Sequence, residues 1–128
     1  MPPPTGNVLI FEDDLATREM LSTFLTTEGF YALGAEDGLE ALHLLRTVKR
    51  RAPHVPCLVL LDLKMPRLGG GEFRRAQLVD PTVASVPVAV MSGLIDAEQR
   101  AQALGAVATV MKPIDFDLLM DVVRRYCA

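Results

Sequence analysis

The sequence is poor in features that mark several specialised classes of protein. It has only two cysteines, Cys57 and Cys127, and their spacing suits neither a zinc site nor a disulfide framework. We therefore expect Cys57 to be a buried small hydrophobe, Cys127 to be a mobile thiol, and the compartment to be reducing and cytoplasmic. No apolar run approaches the roughly 20 residues of a membrane span, and the N-terminus lacks the apolar segment of a signal peptide.

Basic charge is also scarce. The chain has 13 Lys and Arg against 16 Asp and Glu, which gives a formal net charge of −3. This balance argues against a surface that binds nucleic acid directly or an anionic membrane. We interpret the short basic run Lys49-Arg50-Arg51 as solvated cations at a helix C-terminus, where the helix dipole favours them.

Apolar residues are plentiful, and their arrangement predicts the fold class. Half of the 128 residues are hydrophobic, which is enough for the core of one domain. Five short apolar runs are continuous rather than alternating, as strands buried on both faces should be: residues 8–11, 31–35, 57–61, 86–91 and 106–111. Segments with helical spacing separate them. The order predicts an α/β domain of (βα)5 type, with a doubly wound, five-stranded parallel sheet.

Capping residues and domain limits follow from the same pattern. The predicted N-caps are Asp14, Asp37, Asp96 and Asp115, and Gly29 and Gly105 are the predicted ends of the first and fourth helices. We also predict capping boxes from Asp37 to Glu40 and from Asp96 to Gln99. Three prolines predict a disordered leader over residues 1–6, and residues 7–128 form one domain that we expect to act as a stand-alone protein.

Polar side chains stand where four of the predicted strands end. Glu12, Asp13 and Asp14 follow the first strand, Asp62 ends the third, Ser92 follows the fourth, and Lys112 follows the fifth. Taken singly, each has a plain structural interpretation, such as a helix cap, a turn residue or an exposed lysine. Ligands of open parallel sheets bind at the carboxyl ends of the strands, so the set as a whole predicts one shared site.

The residue types at this edge suggest phosphoryl transfer. Carboxylates from Glu12, Asp13 and Asp62 are the oxygen ligands that Mg²⁺ prefers, and a carboxylate can also attack phosphorus to give an aspartyl-phosphate. The Lys112 ammonium and the Ser92 hydroxyl would stabilise the transferring oxygens, and Gly93 would leave room for the donor.

In this combination the sequence resembles the receiver domains of two-component response regulators, over about residues 7 to 126. The motifs that carry the resemblance are Glu12-Asp13, Asp62 with Met65-Pro66, Ser92, and Lys112-Pro113. The resemblance implies the flavodoxin-like strand order 2-1-3-4-5. It also implies a domain that catalyses only its own phosphorylation and dephosphorylation, and is in that sense no enzyme.

The resemblance implies a role for each matching residue. Asp62 would accept phosphate from a histidine kinase or a histidine phosphotransfer protein. Asp13 and Asp62 would bind Mg²⁺ directly, Glu12 through water, and Lys64 through its backbone carbonyl. Lys112 and Ser92 would contact the phosphoryl group, whose pocket would also be lined by Gly93, Lys64 and Leu94. The Lys112–Pro113 peptide bond would be cis.

The sequence departs from the family pattern at three places. Thr109 stands where many members carry the aromatic residue that moves with the Ser/Thr, so the switch formed by Ser92 and Thr109 should differ from theirs. Three glycines, Gly69 to Gly71, replace the usual Asp-Gly and should weaken the start of the third helix. Lys64 and Leu94 flank the attacking water, and neither would position it, so we predict self-dephosphorylation over many minutes or longer.

Several functions remain open from the sequence alone. The leading one is a phosphorylation-driven switch whose fourth helix, fifth strand and fifth helix contact a downstream protein. We expect the switch itself to be a monomer or a weak, phosphorylation-dependent dimer. The alternative is a constitutive, phosphorylation-independent interaction module of the same fold. An aspartyl-nucleophile hydrolase would commonly need an acid where Lys64 stands. A flavin phosphate would be repelled by the acidic residues after the first strand.

Overall fold

The computed structural model describes residues 7–52, 56–63 and 69–127. The predictions for the leader at 1–6 and for Lys64, Met65 and Pro66 therefore lie outside the described residues. Five strands alternate with five helices in this order: β1 Asn7–Phe11, α1 Leu15–Thr27, β2 Tyr31–Ala35, α2 Gly38–Arg51, β3 Leu58–Asp62, α3 Gly70–Leu78, β4 Val88–Ser92, α4 Ala97–Ala103, β5 Ala108–Met111 and α5 Phe116–Cys127.

The strands form one parallel sheet in the order β2-β1-β3-β4-β5, which confirms the predicted fold and strand order. Phe11 pairs with Leu61 across β1 and β3. Asp62 then pairs with Met91, and Ser92 pairs with Met111. This register brings the carboxyl ends of β1, β3, β4 and β5 to the same edge of the sheet.

The core lies on both faces of the sheet because successive strand residues point in opposite directions. On one face Ile10, Leu60 and Met91 pack in a cluster with residues of α1 and α5. On the other, Phe11 and Leu61 pack with residues of α2 and α3. Every residue of β3 and β4 is buried, as continuous apolar strands predict. None of the described helices is both long enough and apolar enough to cross a membrane.

Most of the predicted helix ends are confirmed. The Asp14 carboxylate accepts from the Thr17 backbone N–H, and the Asp37 carboxylate accepts from the Glu40 backbone N–H at 2.9 Å. Asp115 accepts from two backbone N–H groups at the start of α5. Gly29 and Gly105 have positive φ angles of 92° and 70°, which glycine adopts without the cost of a side chain.

The predicted capping box at Asp96 is wrong in its side-chain contact. Asp96 makes no side-chain hydrogen bond to the backbone of α4. Its carboxylate instead accepts from Arg100 Nε at 2.9 Å, one turn further along the helix. The Asp96 carboxylate is thus bound by the nearby guanidinium of Arg100 instead of by a backbone N–H. The spacing from Asp96 to Gln99 does not reveal this.

The two cysteines contradict the prediction of separate thiols. Cys57 precedes β3, Cys127 ends α5, and they form a disulfide across 70 residues of sequence. Sequence spacing gave no hint because the two residues meet only through topology. A helix that returns antiparallel to the strands ends beside the edge where the strands begin. The disulfide also removes the cysteines as support for a reducing compartment.

A buried polar network joins α3 to its neighbours on the same side of the sheet. The Arg74 guanidinium donates to the carbonyl oxygens of Leu104 at 2.8 Å and Gly105 at 3.2 Å, and to the Gln77 side chain at 2.8 Å. The Gln77 amide donates in turn to the carbonyl oxygens of Val83 and Val86. Gln77 is fully buried, and the network fastens α3 to the end of α4 and to the segment before β4.

Candidate functional site

The site is built where four strands end. Glu12 follows β1, Asp62 is the last residue of β3, Ser92 is the last residue of β4, and Lys112 follows β5. The Lys112 ammonium joins two of these groups, because its Nζ lies 2.9 Å from Glu12 Oε1 and 3.1 Å from Asp62 Oδ2. Glu12, Asp62 and Ser92 are each 3% exposed or less. The structure thus brings together residues that lie up to 100 positions apart.

Backbone hydrogen bonds hold these residues beyond the ends of the strands. The Glu12 N–H donates to the Ala35 carbonyl at 3.0 Å, which extends the β1–β2 ladder by one residue. The Lys112 N–H donates to the Ser92 carbonyl at 2.8 Å, which does the same for β4 and β5. The backbone positions of Glu12 and Lys112, from which the two side chains extend, are therefore fixed by the sheet itself. The Lys112–Pro113 peptide bond is cis.

Arg18 supports the site, and sequence reasoning missed it. Its guanidinium donates to the Glu12 carbonyl oxygen at 2.7 Å, and its aliphatic stem lies against Gly34 of β2. A Cβ at Gly34 would lie 2.9 Å from Arg18 Cδ, so a side chain there would displace the arginine. A glycine inside a strand often marks a close approach of this kind, and Gly34 was the available signal.

The electrostatics show an excess of negative charge. Burial raises the pKa of the Glu12 carboxyl to about 7, the hydrogen bond with Asp62 raises it too, and the Lys112 ammonium only partly opposes them. Burial alone would lower the pKa of Lys112, but its hydrogen bond to Glu12 and the charge of Asp62 leave it raised. Exposed Asp13 adds a third carboxylate beside Glu12 and Asp62, and a further cation would relieve their repulsion.

The acidic cluster fits a magnesium ion in its chemistry. Glu12, Asp13 and Asp62 each offer a carboxylate oxygen, and these oxygens all lie within 4.8 Å of one another. Hard oxygen donors around a surplus of negative charge suit Mg²⁺, which uses one or two carboxylates and keeps several waters. Lys64, predicted to add a backbone carbonyl, lies outside the described residues.

The fourth strand supplies the other side of the pocket. The Ser92 hydroxyl oxygen accepts from the Leu94 N–H at 3.0 Å, which fixes the serine rotamer. Gly93 is exposed, and among the described residues a Cβ there would meet only Lys112 Cβ at 3.7 Å, an ordinary contact. Thr109 is half-buried in β5 and pairs with Val90 of β4. Position 109 thus carries a small polar side chain rather than an aromatic ring.

A parallel sheet in the order 2-1-3-4-5, with a polar crevice at its carboxyl edge, defines the flavodoxin-like class of α/β domain. Within that class, the family described as "Response regulator receiver domain" matches residues 8–124. The chain belongs to this family of receiver domains. Receiver domains of response regulators interact with histidine kinases or phosphotransfer proteins, and they generally bind Mg²⁺ at an acidic pocket.

Relatives and solved structures agree with this assignment. The chain is 32% identical over 120 residues to sporulation initiation phosphotransferase F of Bacillus subtilis, covering 93% of this chain and 91% of the relative. It is 33% identical to regulatory protein AtoC of Escherichia coli, of which it spans only 25%. A response regulator receiver protein from Pseudomonas putida superposes with a TM-score of 0.78 at 27% identity, covering 98% of both chains.

Proposed function

We propose that residues 7–128 form a phosphoacceptor signalling domain in which Asp62 takes a phosphoryl group from a phosphohistidine. The observation that carries the proposal is the ammonium of Lys112, which bridges Glu12 and Asp62 beside Ser92. A carboxylate next to a fixed cation can act as a nucleophile while the cation stabilises the oxygens of the transferring group. Membership of the receiver family supports the same role.

In the proposed reaction, an Asp62 oxygen attacks the phosphorus atom. The bond from phosphorus to the histidine nitrogen breaks, and the nitrogen keeps the electron pair. Lys112 moves its ammonium contact from Asp62 to a phosphoryl oxygen, and the Ser92 hydroxyl donates a hydrogen bond to another. Glu12, Asp13 and Asp62 would hold a magnesium ion, which would supply positive charge that offsets the incoming phosphoryl group.

The proposed output surface lies beside the pocket. Ile95, Val107, Met111 and Leu118 are apolar and exposed around α4, β5 and α5. Movement of Ser92 toward the phosphoryl group would shift the loop that leads into α4 and so change this surface for a downstream protein. We propose a monomer, or a weak dimer that forms on phosphorylation. We also place the protein in the cytoplasm, where histidine kinases meet ATP.

The test is the intact mass of the protein after incubation with acetyl phosphate, with and without Mg²⁺. We expect one added phosphoryl group that requires Mg²⁺, and we expect none in Asp62→Asn. Asp121→Asn is the matched control, because it removes an exposed carboxylate from α5, away from the pocket. We further expect the added group to last for many minutes or longer.

Two results would count against the proposal. Equal phosphorylation of Asp62→Asn and wild type would place the acceptor elsewhere. A folded wild-type protein that binds Mg²⁺, yet gains no mass from acetyl phosphate or from a phosphorylated histidine phosphotransfer protein, would favour the constitutive interaction module.

A further inference from the structure

The disulfide between Cys57 and Cys127 lies at the edge of the sheet opposite the phosphoryl site. Cys57 stands just before β3, where the strand begins, and Cys127 is the last residue of α5. The two Cα atoms are 5.3 Å apart, within the range that a disulfide needs without movement of the backbone. None of the functions proposed above uses this pair.

The surroundings of the pair suit both oxidation states. Cys127 is 6% exposed and belongs to the apolar cluster that includes Val123, while Cys57 is half-buried and packs against the same cluster. The Cys57 N–H donates to the Asn7 carbonyl at 2.8 Å, so β1 holds this residue in place without the disulfide. The Cys57 sulfur lies 2.9 Å from the same carbonyl oxygen, which would accept from a reduced thiol.

We propose that Cys57 and Cys127 form a reversible thiol–disulfide site, through which a thiol oxidant controls how firmly the end of α5 is held to the sheet. In cytoplasmic proteins of mesophiles, disulfides are usually transient and redox-sensing rather than permanent. The cytoplasmic location of the protein rests on the proposed function, but the thiol–disulfide chemistry of the two cysteines does not. Leu118, which belongs to the proposed output surface, lies near the other end of the same helix.

The chemistry balances with a glutathione-type disulfide as the oxidant. The more exposed Cys57 thiolate attacks one sulfur of the oxidant, releases one glutathione thiolate and forms a mixed disulfide. The Cys127 thiolate then attacks Cys57 Sγ and displaces the second glutathione. Two electrons pass from the protein to the oxidant, and the two protons that the protein thiols give up are taken up by the two released glutathione thiolates. Excess reduced glutathione reverses both steps.

The experiment uses the whole chain, equilibrated without oxygen in buffers of reduced and oxidised glutathione. Acid quenching, alkylation and intact mass count the free thiols. We expect wild type to pass reversibly between two alkylated cysteines and none. Oxidation should raise the melting temperature by on the order of 10 °C, because the cross-link spans 70 residues of sequence. Hydrogen exchange in the last turn of α5 should slow on oxidation.

Wild type compared in its two oxidation states is the primary test, so the result does not depend on a variant that folds. Cys57→Ser, Cys127→Ser and the double variant serve as controls and should lose the redox-dependent shift in melting temperature. Two free thiols in excess oxidised glutathione would overturn the proposal. A disulfide that resists excess reduced glutathione would make the pair a permanent cross-link and would overturn it as well. So would identical melting and exchange in the two states.

Discussion

Two buried polar clusters in this protein are satisfied in different ways. The network of Arg74 and Gln77 gives its donors to fixed carbonyl and amide oxygens of neighbouring elements. The cluster at the sheet edge places Glu12 and Asp62 around one shared ammonium. Across the described residues no buried side-chain nitrogen or oxygen lacks a hydrogen-bond partner. The completeness of hydrogen bonding therefore does not distinguish the two clusters. What separates them is charge, because the Glu12 and Asp62 carboxyl groups repel each other when both are ionised, and either a proton on Glu12 or a bound cation relieves that repulsion.

This difference predicts which cluster serves stability and which serves chemistry. Arg74 is surrounded by oxygen acceptors that belong to the fold, so losing it should destabilise the protein without a specific effect on phosphorylation. Lys112 contacts the proposed nucleophile, so its loss should slow phosphorylation more than it lowers stability. Five predictions test the comparison.

The largest effect should come from Lys112→Met. Without the ammonium, charge that develops on the phosphoryl oxygens loses its fixed cation, and we expect phosphorylation by acetyl phosphate to slow roughly 100-fold or more. The measurement is the rate of mass gain in saturating Mg²⁺. Lys49→Met, in the last turn of α2, is the control and should react at the wild-type rate. A Lys112→Met protein that reacts as fast as wild type would remove the lysine from the mechanism.

Arg74→Ala should be the most destabilising of the variants considered. It leaves the buried Gln77 side chain and the partly buried carbonyl oxygens of Leu104 and Gly105 without their donor. We expect the free energy of unfolding to fall by about 3 kcal/mol, measured by urea denaturation. At a temperature where the variant is folded, its phosphorylation rate should match wild type. A loss below about 1 kcal/mol would show that water readily replaces the guanidinium.

Glu12 should make stability depend on pH in the absence of Mg²⁺. The folded protein holds the Glu12 proton up to a pKa of about 7, whereas the unfolded chain releases it near the ordinary value of 4.5. Across this range the folded state binds more protons, so the free energy of unfolding should fall as pH rises, by roughly 1–3 kcal/mol. Denaturant titrations at several pH values measure it, and Glu12→Gln should flatten the dependence.

The ionisation of Glu12 should also govern the affinity of the site for Mg²⁺. Protons compete with Mg²⁺ for Glu12, so Mg²⁺ affinity in calorimetric titrations should rise as pH rises through about 7. Glu12→Gln should weaken binding and remove most of this rise. An affinity that is independent of pH between 6 and 8 in wild type would contradict the raised pKa of Glu12.

The smallest effect should come from Arg100→Ala. Arg100 pairs with Asp96 one turn away at 2.9 Å, but both side chains are about half exposed. Exposed pairs of this kind contribute about 0.3–0.5 kcal/mol, and salt screens them. Urea denaturation should show a change within this range that shrinks in 1 M salt. A loss as large as that of Arg74→Ala would mean that burial does not distinguish the two arginines.

Sequence reasoning reached the features that depend on local pattern. Continuous apolar runs such as residues 8–11 predicted buried parallel strands, and the parallel topology then placed Asp62 and Lys112 at one edge. Asp14 and Gly29 could be predicted as helix ends because their chemistry acts within a few residues. The roles of the site residues are still predictions, since geometry alone does not test them.

The features that were missed depend on contacts between distant elements. The pairing of Cys57 with Cys127 exists only because α5 returns to the beginning of β3. Arg74 could be read as an ordinary surface arginine until α4 is packed against α3. The fourth and fifth strands begin two residues later than their apolar runs, at Val88 and Ala108, because apolar residues also fill the loops that enter the sheet.

The attachment of α4 at one end has a mechanical consequence. Arg74 holds the carbonyl oxygens of Leu104 and Gly105, just past the last turn of the helix. At the other end, Asp96 gives the helix no side-chain cap. Only the short stretch from Gly93 to Ile95 separates Asp96 from Ser92. The seven residues of α4 are therefore held by an arginine of α3 at the Gly105 end, whereas the end beside the pocket is held by the packing of Ala97, which is fully buried. A displacement of Ser92 would move the Ala97 end, together with exposed Ile95, while Arg74 keeps the Gly105 end in place.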